Sequence, residues 1–225
     1  KFIRKKQLFS YFKHKPIIIL EGEYHFNKRS AITSFFGKKI LKLAPDYEFI
    51  NEKIDYNFIP AKNCIFTTKS DRNLNILLKA WHNIFLLNKD ANLLINPPYN
   101  LTNDLLDKNV KLRIKGNKQD LIKDLKSSRI MLVPGHKGEV FCLAAEEARE
   151  LCIPIVTLGY GSLYERVEHN VTGFVAKNLK EFTYYAHKLL NDDDLYLKFR
   201  ENLFKLRNTR NFSHVANDLL KIISN

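Results

Sequence analysis

The chain has 225 residues, 45% of them hydrophobic, enough for one large domain or for one domain and part of a second. Lysine and arginine total 37 against 24 aspartates and glutamates, a formal net charge of +13 that favours anionic partners: nucleotides, nucleic acid or acidic lipid. No apolar run approaches the roughly 20 residues of a membrane-spanning helix, the charged start is followed by no apolar leader core, and three cysteines without paired spacing predict neither a metal cluster nor a disulfide framework.

The first 15 residues, KFIRKKQLFSYFKHK, are basic and aromatic and predict a short helix, followed by a strand at 16–20, PIIIL. The opening residue is Lys1 rather than Met, which fits a fragment or a processed chain. Residues 43–60, LAPDYEFINEKIDYNFIP, show little periodicity and are expected to form a connection, with a boundary near residue 60. Strands are then predicted at 63–68, 92–97, 110–115, 129–133, 153–158 and 173–176, with helices at 71–88, 118–127, 141–151 and 162–168. Most of these strand runs are continuously apolar, as in NCIF or IMLV, which is the pattern of strands covered on both faces. Strand alternating with helix predicts a parallel, doubly wound, Rossmann-like α/β sheet. Beyond residue 178 the pattern is purely helical, at 179–190, 193–208 and 213–223, a helical C-terminal tail. Ile76, Leu77 and Trp81 are expected in the core, and Cys64, Cys142 and Cys152 as buried thiols of a reducing compartment. Asp192, Asp193 and Asp194 are expected as a solvated helix start, not a metal site.

The chemistry concentrates in FCLAAEEARELCIPIVTLGYGSLYERVEHNVTGFV, residues 141–175, with Glu139 just ahead of it. On a 3.6-residue period Phe141, Ala144, Ala145, Ala148 and Cys152 share one helix face, with Leu151 at its edge. Glu146 and Glu150 are then expected to face solvent, and Glu147 to border the apolar stripe. Glu139 sits in the loop after a strand, the place where open α/β sheets bind ligands. Between the two acids lies a helix N-terminus, whose unbonded N–H groups and dipole suit a phosphate. Carboxylate, anion seat, carboxylate matches a nucleotide sugar: a hydroxyl-rich sugar, a diphosphate and a ribose. Glu165 reads differently, as the last residue of a capping box with Ser162 as N-cap. Gly159 and Gly161 are expected to make the tight turn before that helix. His136, in the Glu139 loop, lines the pocket or the surface.

These residues carry a resemblance. Glu139-x7-Glu147, Ala148, CIPIV at 152–156, GYGSLYERV at 159–167 and NVTGFV at 170–175 resemble, in order and spacing, the donor-binding half of retaining glycosyltransferases of the GT-B fold, family 4. FTTKSDRNLNILLKAW at 66–81 is similar to that family's first strand, basic loop and helix, with Arg72 where a lysine contacts the diphosphate. The stretch after Leu112, opened by Gly116, is similar to the element whose backbone borders the base. NFSHVANDLLKII at 211–223 resembles the final helix that crosses back to the first domain, and PIIILEGEYHFNKRSAI at 16–32 the end of the acceptor domain. Tyr24 and His25 would then face the cleft between the halves.

The resemblance implies three parts: residues 1–60 as the end of the acceptor domain with its connection, 61–208 as the nucleotide-sugar donor domain, and 209–225 as the crossing helix. It implies transfer of a sugar from a UDP- or GDP-linked donor to a glycan or lipid-linked acceptor, with retention, in cell-surface glycan or polysaccharide synthesis. Glu139 would bind the donor sugar, Glu147 the ribose, and the amides of Phe141, Cys142 and Leu143 the sugar or diphosphate. Arg72, with Lys69, would neutralise the diphosphate as it leaves, without a metal or other cofactor. A cytoplasmic location is expected, at the inner face of the membrane with peripheral contact to anionic lipid, and no nucleic-acid partner. Five positions depart from the family. Val140 and Cys142 replace glycines, Thr67 stands at an arginine position, Cys152 replaces the glycine before Ile153-Pro154, and Tyr160 separates Gly159 from Gly161. A complete two-domain enzyme of this kind is expected to be longer, about two domains of ordinary size. The rival expectations are a half-domain that binds a nucleotide sugar without transfer, and a basic module binding a membrane surface or nucleic acid.

Overall fold

A computed structural model describes residues 5–28, 38–97, 109–114 and 116–224. The N-terminal segment comprises α1 (Lys5–His14), β1 (Ile18–Leu20), α2 (Glu23–Asn27), β2 (Lys38–Ile40) and α3 (Tyr47–Ile50). The body follows with β3 (Asn63–Phe66), α4 (Leu74–Leu87), β4 (Asn92–Ile95), β5 (Val110–Leu112), α5 (Lys118–Lys126), β6 (Ile130–Gly135), α6 (Leu143–Glu150) and β7 (Ile155–Tyr160). A 3-10 turn (Gly161–Glu165), β8 (Gly173–Val175), α7 (Leu179–Asn191), α8 (Asp193–Lys205) and α9 (Phe212–Ser224) complete it. All seven expected strands are present. Residues 1–4 of the expected first helix and Lys115 of the expected 110–115 strand lie outside the described residues.

Six strands form one sheet in the order β5-β4-β3-β6-β7-β8, every pair parallel. The chain winds outward from β3 to β5, returns to place β6 beside β3, and winds outward again to β8. The doubly wound expectation therefore holds, and the winding reverses between β3 and β6. Burial on both faces explains the continuous apolar runs. Cys64 and Phe66 project into a cluster with Leu77, Trp81 and Ile84 of α4 and Phe182, Leu189 and Leu190 of α7. Ile65, between them, projects the other way, into a cluster with Ile122, Leu125, Met131, Ala145 and Ala148. Trp81 and Leu77 are fully buried as expected, whereas Ile76 is half-buried. All three cysteines are buried and free, and burial pushes each thiol up, leaving them neutral packing groups.

The first sixty residues differ from expectation in two respects. β2 (Lys38–Ile40) pairs parallel with β1 in a separate two-stranded sheet, a strand of three residues too short for its alternation to be seen. The segment 43–60 is a connection, yet not a loose one: α3 lowers Phe49 into the Ile65 cluster. Two arginines fasten the rest. Arg200 of α8 donates to the carbonyls of Asp55, Tyr56 and Cys152, and Arg207 to those of Ile50 and Glu52. Among the described residues no helix is long and apolar enough to cross a membrane.

Candidate active site

The loops that leave β3 and β6 meet at the point where the winding reverses, the usual ligand crevice of such sheets. After β3 come Thr67, Thr68 and Lys69, then a turn in which the Arg72 amide donates to the Lys69 carbonyl at 2.9 Å. Asn73 takes a left-handed conformation (φ 67°) and, instead of capping α4, donates through Nδ2 to the Gly135 carbonyl at 2.6 Å. That bond ties the two loops together. After β6, His136–Glu139 close a turn through the Glu139 amide and the His136 carbonyl, 2.9 Å apart. Arg72 Nη1 lies 3.2 Å from His136 Nδ1, and the Gly138 amide donates to the same nitrogen at 3.0 Å. Both neighbours are donors, so Nδ1 accepts and the ring carries its proton on Nε2. Arg72 Nε stands 3.7 Å from Glu139 Oε2, with both side chains mostly shielded.

Arg72, Glu139, Lys69, Cys142 and Leu143 surround one cleft of about 290 Å³. Thr67 and Thr68 also line it, and both hydroxyls are buried without a hydrogen-bond partner. Thr68 was not expected in the site, and Thr67 was noted only as standing at an arginine position of the family's basic loop. Their signal in the sequence is their position directly after a strand, where the basic loop of the family begins.

α6 starts at Leu143, two residues later than expected, because Cys142 is left-handed (φ 61°, ψ 73°). A glycine adopts that conformation without strain; Cys142 adopts it here with its thiol buried. The backbone path open to a glycine is therefore preserved. The first amides of α6 have no acceptor within the helix, and Leu143 and Ala144 border the cleft. Phe141 is buried behind them. Its carbonyl accepts from Arg166 Nε at 2.9 Å, and its ring lies 4.2 Å under the guanidinium.

Glu146 and Glu150 do not face solvent. They are 5% and 0% exposed. Glu146 sits between Arg149, at 2.5 Å, and Arg166, at 3.2 Å; Glu150 accepts from Arg149 at 3.0 Å and from the Asn208 amide at 3.0 Å. The polar face of α6 is covered by residues from later in the chain, with two guanidiniums neutralising the acids. The capping box at Ser162–Glu165 is likewise absent. Tyr160, not Ser162, precedes the 3-10 turn, and the Glu165 carboxylate accepts from the Tyr24 amide instead. Gly159 and Gly161 do make the turn, at φ 69° and 72°. A Cβ on Gly161 would meet the carbonyls of His136 and Glu139 at 2.3 and 2.7 Å, so only glycine lets this turn press against the Glu139 loop.

Glu147 lies one turn into α6, outside the 290 Å³ cleft. Burial lifts its carboxyl to about 7, Asp46 adds to the rise and Lys118 opposes it. Lys118 is itself held by Asp46 at 2.5 Å and Glu48 at 3.3 Å. Gly116 borders a second hollow, with Leu112, Arg113 and Asp120, next to the Asn117–Asp120 capping box that starts α5. Expected site residues thus divide: Arg72, Glu139, Lys69, Cys142 and Leu143 converge, His136 braces Arg72, Phe141 backs the helix start, and Glu147 and Gly116 stand to the side. Among the described residues no group of three or more His, Cys, Asp or Glu side chains is arranged to hold a metal ion.

Residues 68–206, more than half of the chain, match the family described as "Glycosyl transferases group 1". The chain belongs to this family. The match opens in the loop after β3 and closes just past α8, so it includes both loops of the cleft. No curated protein sequence matches the chain. Among solved structures, a mutant of S. aureus TarM in complex with Fondaparinux, alpha-GlcNAc-glycerol and UDP is similar over 92% of this chain and 43% of its own, at 16% identity and a TM-score of 0.73. The pneumococcal O-GlcNAc transferase GtfA, in complex with UDP and GlcNAc, is similar over 98% of this chain and 47% of its own, at 13% identity and a TM-score of 0.72. WaaG, a glycosyltransferase involved in lipopolysaccharide biosynthesis, is similar over 91% of this chain and 62% of its own, at 14% identity and a TM-score of 0.73. These likenesses establish the fold: the six-stranded sheet has the Rossmann-like architecture of GT-B glycosyltransferase domains. The chain spans less than half the length of the TarM and GtfA structures it matches.

Proposed function

We propose that the chain is the donor-binding half of a retaining glycosyltransferase of family 4, acting on a nucleoside-diphosphate sugar. The observation that carries this reading is the convergence of Arg72 and Glu139, 3.7 Å apart, on a cleft at the start of α6 in a member of this family. In this reading Glu139 accepts hydrogen bonds from the donor sugar's hydroxyls. The amides of Phe141, Cys142 and Leu143 meet the sugar or diphosphate, and the ribose hydroxyls reach Glu147. The base lies toward Gly116. As the bond between sugar and diphosphate breaks, negative charge grows on the leaving oxygen. Arg72, Lys69 and the helix N-terminus stabilise it without rearrangement, so the mechanism asks for no metal. The acceptor hydroxyl forms the new bond to the sugar carbon, and its proton leaves with the nucleoside diphosphate. UDP is the favoured carrier, since the similar TarM and GtfA structures hold it.

The part of the chain before residue 61 is assigned to the end of the acceptor half, supported by its own β1–β2 sheet, and 61–208 to the donor half. Residues 209–225 are assigned to the return crossing. Arg210, which forms an ion pair with Asp218 of α9, donates to the Lys42 carbonyl and fastens the start of that segment to the N-terminal part. The acceptor is assigned to the glycan or lipid-linked class of cell-surface polymers, and the protein to the cytoplasmic face of the membrane.

Glu139→Ala tests the reading. Transfer from a UDP- or GDP-sugar should fall by about 100-fold or more, the usual effect of removing a group aimed at the reacting centre, with the circular dichroism spectrum unchanged. A wild-type transfer rate in that variant removes Glu139 from the reaction.

A further inference from the structure

The Glu139 turn is held at four successive points. Asn73 donates to the Gly135 carbonyl at 2.6 Å, Arg72 approaches His136 at 3.2 Å, the Ser162 amide donates to the Glu139 carbonyl at 2.9 Å, and the Tyr24 hydroxyl donates to the Lys137 carbonyl at 2.6 Å. The first three contacts come from the body that carries the six-stranded sheet. The fourth differs: Tyr24 lies on α2, between the strands of the separate β1–β2 sheet.

Tyr24 is fixed at more than its hydroxyl. Its amide donates to the Glu165 carboxylate at the far end of the 3-10 turn, and its ring meets Tyr164 edge-on, with centroids 6.0 Å apart. Gly22, just before α2, permits this approach, since a Cβ there would come within 2.9 Å of Glu165 Oε2. The residue is 8% exposed, although it borders an open cleft of about 570 Å³ with Lys28, Lys137, Tyr160 and Tyr164. One side chain thus bridges the two loops that follow β6 and β7, from a segment outside their sheet.

We propose that Tyr24 is a positioning residue for sugar transfer: through the Lys137 carbonyl it holds the Glu139 turn in register, and so makes the donor site depend on the docking of the N-terminal segment. The proposal rests on the assignment of Glu139 to the donor sugar. A carboxylate on a four-residue turn is placed only as well as the turn, and misplacement of a catalytic group by about 1 Å typically lowers turnover by about 100-fold. Undocking α2 would free one of the four restraints and loosen the turn without disturbing the core beneath it.

Tyr24→Phe removes the hydroxyl and keeps the ring. Tyr184→Phe, on the exposed face of α7, is the control. Two readouts are needed. Amide hydrogen exchange at Glu139 and Ser162, whose bonds close the turn, should accelerate about fivefold in Tyr24→Phe, as expected for the loss of one hydrogen bond. Amides of β3 and β6 should be unchanged. With donor, kcat should fall about tenfold while KM for the nucleotide sugar stays within about twofold, because the diphosphate and ribose contacts are untouched. Exchange at these two amides and kcat both matching the Tyr184→Phe control would overturn the proposal. So would acceleration spread evenly through β3 and β6, which marks general destabilisation. A wild-type chain that binds no UDP or GDP by calorimetry sinks the functional assignment instead, and the exchange contrast then decides the brace alone.

Discussion

Glu147 sits where burial lifts its carboxyl to about 7, with Asp46 reinforcing the shift and Lys118 opposing it. The folded protein therefore holds this proton to higher pH than the unfolded chain does. That favours the folded state below the ordinary carboxylate range, and the advantage fades as pH rises toward 7. Ribose hydroxyls donating to the ionised carboxylate pull the other way and release the proton. Nucleotide affinity should then climb with pH below 7, approaching about tenfold per unit, and level off above it. Glu147→Gln should bind more weakly with a flat profile; calorimetry from pH 5.5 to 8 reads both, and a wild-type profile without slope removes Glu147 from the ribose. Glu139 was placed from the pattern, as a charged residue in a loop after an apolar run, whereas Arg72 and Lys69 were named only through the family resemblance; the three line one cleft. Glu146 and Glu150 were misplaced because a helical wheel knows only its own helix. The guanidinium that buries Glu146 belongs to Arg166, beyond β7, and the amide that caps Glu150 belongs to Asn208, beyond α8.

α6 is short, eight residues, and its position depends on that buried charge network as much as on Ala145 and Ala148. Glu146 balances Arg149 and Arg166, and Arg166 in turn holds the Phe141 carbonyl just before the helix. Glu146→Ala leaves the largely buried Arg166 guanidinium without its carboxylate, while Arg149 keeps Glu150, and should cost about 3 kcal/mol of stability, measured by urea denaturation. A loss below about 0.5 kcal/mol, typical of an exposed residue, would show that the network carries no weight. The larger elements were legible because each apolar run is long enough to show its period. The 3-10 turn after β7 was not. Its capping signature is local, but Glu165 turns to a partner on α2, far away in the sequence. The three-residue β2 has too few side chains to carry any pattern.

Across the protein as a whole, the order β5-β4-β3-β6-β7-β8 places the reversal of winding between the Arg72 and Glu139 loops. Neither loop alone encloses the cleft. The sequence predicted a doubly wound sheet but not its strand order, since helix lengths do not say on which side of β3 the chain returns. Near the N-terminus, α1 exposes Phe9 and Phe12 (77% and 50%) in a stretch rich in lysine, a composition suited to an anionic lipid surface. Vesicles of about one-quarter phosphatidylserine should bind the protein in a salt-sensitive manner, and deletion of residues 1–15 should abolish the binding; retention after deletion assigns it elsewhere.

The proposed diphosphate seat lies between two loops, and a calorimetric titration of UDP into the wild-type protein and Arg72→Ala reads it directly. Arg72 is expected to supply a charge-assisted contact, so the substitution should weaken UDP by about 1.5–3 kcal/mol, roughly 10- to 150-fold. Equal affinity in the two proteins would contradict the seat.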